Sequence, residues 1–200
     1  LPALFVDEAR KRGLALTRMA VFPSMARAPD EQGGATRLVS LKAVDGAYPL
    51  RGRMVVSASV EDDARAERSL PRGPARGEVW ADAGVLSALE LRVGDTLLLG
   101  DASLRVGARI VTEPDRGAGF MAFAPRVLMH ADDLPATALV QPASRVTWRV
   151  AVAAPQPDDP NAQAAVRNYM AWAAGTIEQQ RLRGVRVEAH TRTPLAVRRT

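Results

Sequence analysis

The chain has 200 residues, of which 47% are hydrophobic and 24% charged, a balance typical of a globular domain with its own core. It contains no cysteine, which excludes disulfides and thiol chemistry. The net charge of +5 comes from scattered basic residues, and only 4% of residues are aromatic. This pattern disfavours nucleic-acid binding and indicates a solvated basic surface. The longest uncharged runs are too short for a spanning helix, which needs about 18 apolar residues.

The first 44 residues predict a helix followed by two strands. Apolar and charged side chains follow helical spacing over residues 2–12, and Gly13 comes next as a stop signal. Alternation then predicts strands over 14–22 and 37–44. A polar, glycine-rich loop (26–35) separates them.

The segment 77–106 predicts a strand, a short helix and a β-hairpin. Asp82 stands where its carboxylate can cap the helix, and Leu86 and Leu89 lie three apart on the inner helix face. Gly94 supplies the positive φ that ends the helix. Two half-buried strands around a Gly-Asp turn are then predicted from Thr96, Leu98, Leu104 and Val106.

The last third predicts a strand over 145–152, a long helix and a strand over 185–190. Asp159 and Pro160 form a helix cap and a first-position proline. We expect the helix to run to about Arg183, before Gly184. Its inner face is predicted from residues at helical spacing: Val166, Tyr169, Ala173 and Ile177.

Both ends of the chain repeat one pattern, in which a basic last helical turn leads through Arg-Gly into an alternating strand (9–17 and 180–188). This weak repeat predicts two βαβ-like halves, with the first strand of the first half lying before residue 1. We therefore expect strands 14–22 and 145–152 to share a sheet. The stretch 71–109 is expected to pack apart from that sheet.

Four strings, taken in chain order, resemble a known family. They are LVSLKAVDGAYPLRG (38–52), LRVGDTLLL (within 77–106), EPDRGAGFMAFAPRVLM (113–129) and QPASRVTWRV (141–150). The chain resembles the periplasmic domain of FtsX-type ABC transporter permeases, the MacB-like periplasmic core, and in particular the YbbP branch associated with lysophospholipase biosynthesis.

The resemblance implies an α+β fold with a porter-like subdomain of two βαβ halves and an inserted, β-rich Sabre-like subdomain. The first half is expected over residues 1–46, the insertion over 47–144 and the second half over 145–200. Transmembrane helices are expected to flank both ends. The domain would then lie on the periplasmic side of a bacterial inner membrane.

The same resemblance implies a non-catalytic part of a permease homodimer. A cytoplasmic ABC ATPase on a separate chain would drive it, and the domain would transmit that movement. Its expected role is to handle or export a lipophilic substrate, or to engage a periplasmic esterase of the lysophospholipase or thioesterase type.

The residues themselves indicate no catalytic, cofactor or metal site. His130 and His190 each follow a predicted strand, where surface roles are commoner than base catalysis, and two separated histidines without cysteine do not match the common zinc layouts. The acidic runs 61–63 and 132–133 are typical of turns and caps. No phosphate-binding loop occurs, so the chain is not expected to be the transporter's ATPase.

The segment 115–125, DRGAGFMAFAP, is the one candidate contact surface. Its two glycines permit an irregular backbone that presents Phe120, Met121 and Phe123. Two readings remain open: a loop folded back into the core, or an apolar lip that contacts a lipid-like substrate or a partner.

Two alternatives from other classes also remain open. One is a stand-alone soluble hydrolase or isomerase whose site matches no recognisable motif. The other is a basic binding module.

Overall fold

The computed structural model describes residues 2–59, 64–116, 124–188 and 195–199, the last range by its backbone alone. Its elements in chain order are α1 (Ala3–Lys11), β1 (Ala15–Arg27), β2 (Thr36–Val44), β3 (Met54–Ser57), β4 (Glu67–Leu70), β5 (Glu78–Asp82), α2 (Ala83–Ala88), β6 (Thr96–Leu99), β7 (Ala102–Thr112), β8 (Arg126–His130), β9 (Thr147–Ala153), α3 (Pro160–Gln179), β10 (Val185–Glu188) and β11 (Leu195–Arg199). Within these ranges, three short 3₁₀ helices lie at Asp30–Gln32, Ala64–Ala66 and Ala131–Thr137.

The fold class is confirmed as mixed α+β with a mostly sheet core. Among the described residues, eleven strands form one sheet in the order β10-β11-β9-β1-β2-β8-β5-β7-β3-β4, and β6 pairs with both β1 and β7. β1 is the central strand, because β2, β6 and β9 all pair with it in antiparallel register. No helix among the described residues is long and apolar enough to cross a membrane.

Six of the strands close on themselves into a barrel. The pairings run β1-β2-β8-β5-β7-β6 and return from β6 to β1. Alternate residues of all six strands fill one hydrophobic cluster, as the two-residue period of a strand requires: Ala20, Phe22, Ala26, Val39, Leu41, Ala43, Val79, Ala81, Leu97, Leu99, Leu104, Val106, Val127 and Met129. Helix α2 adds Val85 and Leu86 to the same cluster.

The two longer helices pack against the β9 side of the sheet. Asp159 caps α3 as expected, because its carboxylate accepts the N–H of Asn161 at 2.9 Å. Val166, Tyr169 and Ala173 are buried on the predicted face. The Tyr169 hydroxyl donates to the carbonyl of Phe5 at 2.9 Å and so joins α3 to α1.

The expected sharing of a sheet by the two ends is confirmed, since β1 pairs with β9 from Ala15 to Val21. The expectation that 71–109 packs apart from that sheet is wrong. β6 lies in that stretch and pairs with β1 through Ala26 and Arg27. The division at 46/47 and 144/145 stays a prediction, and the sheet continues across both boundaries.

Three local expectations need correction. Helix α3 ends at Gln179, four residues before the expected end. Gly94 has the expected positive φ of 103°, but α2 ends earlier, at Ala88. The Asp82 carboxylate makes no helix-capping hydrogen bond, because other groups occupy it.

Candidate contact site

Residues 117–123 lie outside the described residues, and with them Phe120, Met121 and Phe123. The structure does describe both ends of this segment, which we call the loop root: Glu113 to Arg116 on one side and Ala124 to Arg126 on the other. The geometry of the root decides how the segment 115–125 is held.

A buried ionic cluster lies under the loop root. Lys42 Nζ donates to Glu113 Oε1 at 2.7 Å, and the two side chains are 1% and 0% exposed. Arg126 Nε donates to Glu113 Oε2 at 3.1 Å, so one carboxylate faces two cations. The Tyr48 hydroxyl donates to Glu113 at 3.0 Å and accepts from Lys42 at 3.0 Å. Ser40 accepts from Arg126 Nη1 at 2.6 Å, which completes the cluster.

Backbone groups of the loop root are bound by the same cations. Lys42 Nζ donates to the carbonyl of Asp115, and Arg126 Nη2 donates to the carbonyl of Arg116 at 2.8 Å. The carbonyl of Pro125 accepts the N–H of Ser40 at 2.7 Å. Both ends of the segment are therefore bound to β2 and β8.

Asp82 forms a second clamp on the loop root. Its two carboxylate oxygens accept from the Arg116 guanidinium at 3.1 and 2.6 Å, a bidentate geometry that fixes orientation as well as distance. Oδ2 also accepts the backbone N–H of Arg126 at 2.9 Å. One side chain at the end of β5 thus contacts both sides of the loop root.

The environment sets the ionisation of the cluster. Burial acts to raise the pKa of Glu113, but the charges of Lys42 and Arg126 and two hydrogen bonds hold it below its ordinary value. Burial, followed by the Glu113 charge, raises the pKa of Tyr48 well above its ordinary value. The hydrogen bond to Asp82 raises the pKa of Arg116. Glu113 is therefore ionised and Tyr48 neutral at pH 7.

This arrangement is suited to positioning rather than to acid–base chemistry. A catalytic base needs a pKa near the working pH and access to substrate, whereas Glu113 is buried and its pKa is lowered. Within the described ranges, no group of three His, Cys, Asp or Glu side chains could hold a metal ion. The cluster fixes where the 115–125 segment leaves the sheet.

The other sequence candidates have local roles. His130 Nδ1 accepts the N–H of Asp132 at 3.2 Å at the start of a 3₁₀ helix, and Asp133 accepts the N–H of Gly77 at 2.7 Å. His190 and the acidic run 61–63 lie outside the described residues. Trp148 on β9 is 40% exposed.

Sequence reasoning missed the ionic cluster. One signal was available: Lys42 is one of two lysines among 27 basic residues, and it interrupts the apolar strand LVSLKAV. A charged residue within such a run is seldom buried unless it is paired. Its partner Glu113 is 71 positions away, which local spacing cannot reveal.

Comparison with known proteins supports the resemblance. The chain is 35% identical over 151 residues to the uncharacterized ABC transporter permease YbbP of Escherichia coli (strain K12). The chain is a relative of YbbP-type permeases. The match covers 74% of this chain but only 17% of the relative's length. No protein-family model matches the chain.

Proposed function

We propose that this chain is a non-catalytic periplasmic domain of a YbbP-type ABC permease. In this proposal the 115–125 segment contacts a lipophilic substrate or a periplasmic esterase partner of lysophospholipase or thioesterase type. ATP hydrolysis by a separate cytoplasmic chain drives movements of the domain in a dimeric inner-membrane permease. The porter-like ends and the Sabre-like middle follow the division at 46/47 and 144/145.

The observation that carries this proposal is the contrast within the 115–125 segment. Its two ends are bound by Lys42, Arg126 and Asp82, while its middle carries Phe120, Met121 and Phe123 next to glycines. A segment whose sole task is to fill the core has no need of an ionic clamp at each end. A clamp does suit a segment that must present apolar side chains at a fixed place, because preorganisation lowers the entropy cost of binding.

Strand connectivity offers a route for movement. β11, at the chain's last described residues, pairs with β9, and the path continues through β1 and β2 to β8 at the loop root. These strands are joined by regular hydrogen-bond ladders. Displacement of β11 by the membrane part would therefore reach the loop root through four strand pairings.

The test uses the whole permease, reconstituted with its ATPase chain in liposomes that contain a fluorescent acyl ester. The double change Phe120→Ala with Phe123→Ala should abolish ATP-dependent release of the ester, while ATP hydrolysis continues. Val111→Ala is the matched control, because it shortens another apolar side chain, 37% exposed on β7. Release at the wild-type rate by the double variant would refute the contact role.

A further inference from the structure

A groove lies on the side of the molecule that carries α1. It has a volume of about 820 Å³ and runs between α1 and the segment that follows β8, with β1 and β9 as its floor. Residues at helical spacing form the α1 wall, from Ala3 and Val6 to Asp7 and Arg10. The opposite α1 face, with Phe5 and Ala9, is fully buried against the core.

The groove exposes apolar surface. Trp148 on the floor is 40% exposed and Val140 on the far wall is 36% exposed. Both belong to the few large hydrophobic side chains left exposed on the described surface. Exposed apolar patches rimmed by polar groups are typical of ligand sites.

The rim carries charges of both signs. Arg10 and Asp7 are 62% and 68% exposed and lie 3.9 Å apart, and Asp132 is 64% exposed. The Arg18 side chain is 64% exposed, with Nε 3.8 Å from Asp45. Arg149 and Asp45 also line the groove. A ligand could therefore meet three guanidinium groups and three carboxylates, two of each more than 60% exposed.

From these features we infer that the groove binds a single-chain amphiphile with a zwitterionic phosphate headgroup. The acyl chain lies along the apolar floor beside Trp148. Arg10 and Arg18 bind the phosphate, as guanidinium groups do, while Asp7 and Asp132 face the ammonium group. This inference rests on the proposed function and names a class of lipophilic substrate for it.

The volume is sufficient for one acyl chain. If each methylene is roughly water-sized, at ~30 Å³, a 16-carbon acyl chain needs about 480 Å³. The groove has a volume of about 820 Å³.

The test measures binding to the purified 200-residue chain by titration calorimetry below the micelle concentration. Dodecylphosphocholine is the main probe. Decylphosphocholine tests the contribution of alkyl-chain length, and dodecyl maltoside tests that of the headgroup because it carries the same alkyl chain on an uncharged sugar. We expect one site per molecule for dodecylphosphocholine and about tenfold weaker binding of the decyl form, because two methylenes fewer are buried. Equal affinity for phosphocholine and maltoside, or no binding, would overturn the inference.

Two kinds of variant locate the site. Ala3→Trp fills the groove from an exposed position, and Val140→Asp places a charge in it, so each should weaken binding at least tenfold. Arg10→Gln with Arg18→Gln should weaken phosphocholine binding about tenfold and leave maltoside binding unchanged. Arg37→Gln with Arg92→Gln, an equal charge change away from the groove, should have no effect.

Three results would reject this site. They are unchanged binding in both groove variants, equal effects of the two arginine pairs, and binding to phosphatidylcholine vesicles without binding of monomers. None of these results would affect the proposed contact role of the 115–125 segment, because that role is tested separately by ATP-dependent release of the ester from liposomes with the whole permease. An absence of amphiphile binding in the groove can thus be distinguished from a failure of the proposed function.

Discussion

Lys42 Nζ lies 2.7 Å from Glu113 Oε1, and neither side chain is more than 1% exposed. Lys42 is on β2 and Glu113 directly follows β7, two strands that are separated in the sheet by β8 and β5. Arg126, at the start of β8, binds the other oxygen of the same carboxylate. Because removing charges from water offsets most of their attraction, such a cluster specifies position more than it adds stability.

Glu113→Gln should destabilise the protein by about 3–5 kcal/mol, since it leaves two buried cations without their shared carboxylate. Urea unfolding gives the free energy directly. Glu67→Gln is the control, because Glu67 is exposed on β4 and its change should cost less than about 0.5 kcal/mol. If the two variants were equally stable, the ionic cluster would not hold the fold in the way described.

The lowered pKa of Glu113 predicts a loss of stability in acid. Its folded-state pKa lies below the value of about 4.3 expected in the unfolded chain. The contribution is therefore fully present above that value and is lost as the pH falls through the folded-state pKa. Melting temperatures of the wild type between pH 7 and 2.5 should fall more steeply below about pH 4.5 than those of Glu113→Gln. Parallel curves would contradict this assignment.

Asp82→Ala should loosen the loop root without unfolding the molecule. The change removes the acceptor of the Arg126 N–H and of the Arg116 guanidinium. Amide hydrogen exchange at Arg126 should become at least tenfold faster, while exchange in β1 and β9 stays the same. Asp95→Ala, which removes a similar side-chain contact to the N–H of Arg92, should leave Arg126 unaffected. Unchanged exchange at Arg126 in Asp82→Ala would disprove the clamp.

The chain should hydrolyse neither acyl esters nor ATP. His130, the one described histidine, uses Nδ1 to accept the N–H of Asp132, which is a structural role. Assays with p-nitrophenyl esters and with ATP should give blank rates for the wild type and for His130→Ala alike. Wild-type turnover that disappears in His130→Ala would contradict this prediction and support the alternative that the chain is a stand-alone hydrolase.

Periodicity predicted most of the elements, because burial imposes a period of two on strands and of 3.6 on helices. It could not predict barrel closure, which depends on two residue pairs between β1 and β6, Ala26 with Leu99 and Arg27 with Leu98. The cap assigned to Asp82 failed for a related reason. An aspartate between a strand and a helix fits a local cap, but its partners Arg116 and Arg126 are 34 and 44 positions away.

The sequence did not predict the groove beside Trp148 either. Tryptophan in a predicted strand usually indicates a core residue, and Trp80 is indeed 2% exposed. Trp148 is exposed instead, at the floor between α1 and the segment after β8. That placement depends on how the helix packs across β1 and β9, which no local pattern encodes.

The melting temperature of the double variant Phe120→Ala with Phe123→Ala tests the central claim most directly. If the 115–125 segment is a contact surface, the chain should melt within about 2 °C of the wild type, because surface truncations cost little. Phe5→Ala, the same change at a fully buried phenylalanine, should cost about 3–5 kcal/mol and so lower the melting temperature by several degrees. A fall in the double variant as large as that of Phe5→Ala would assign the segment to the core and contradict the account.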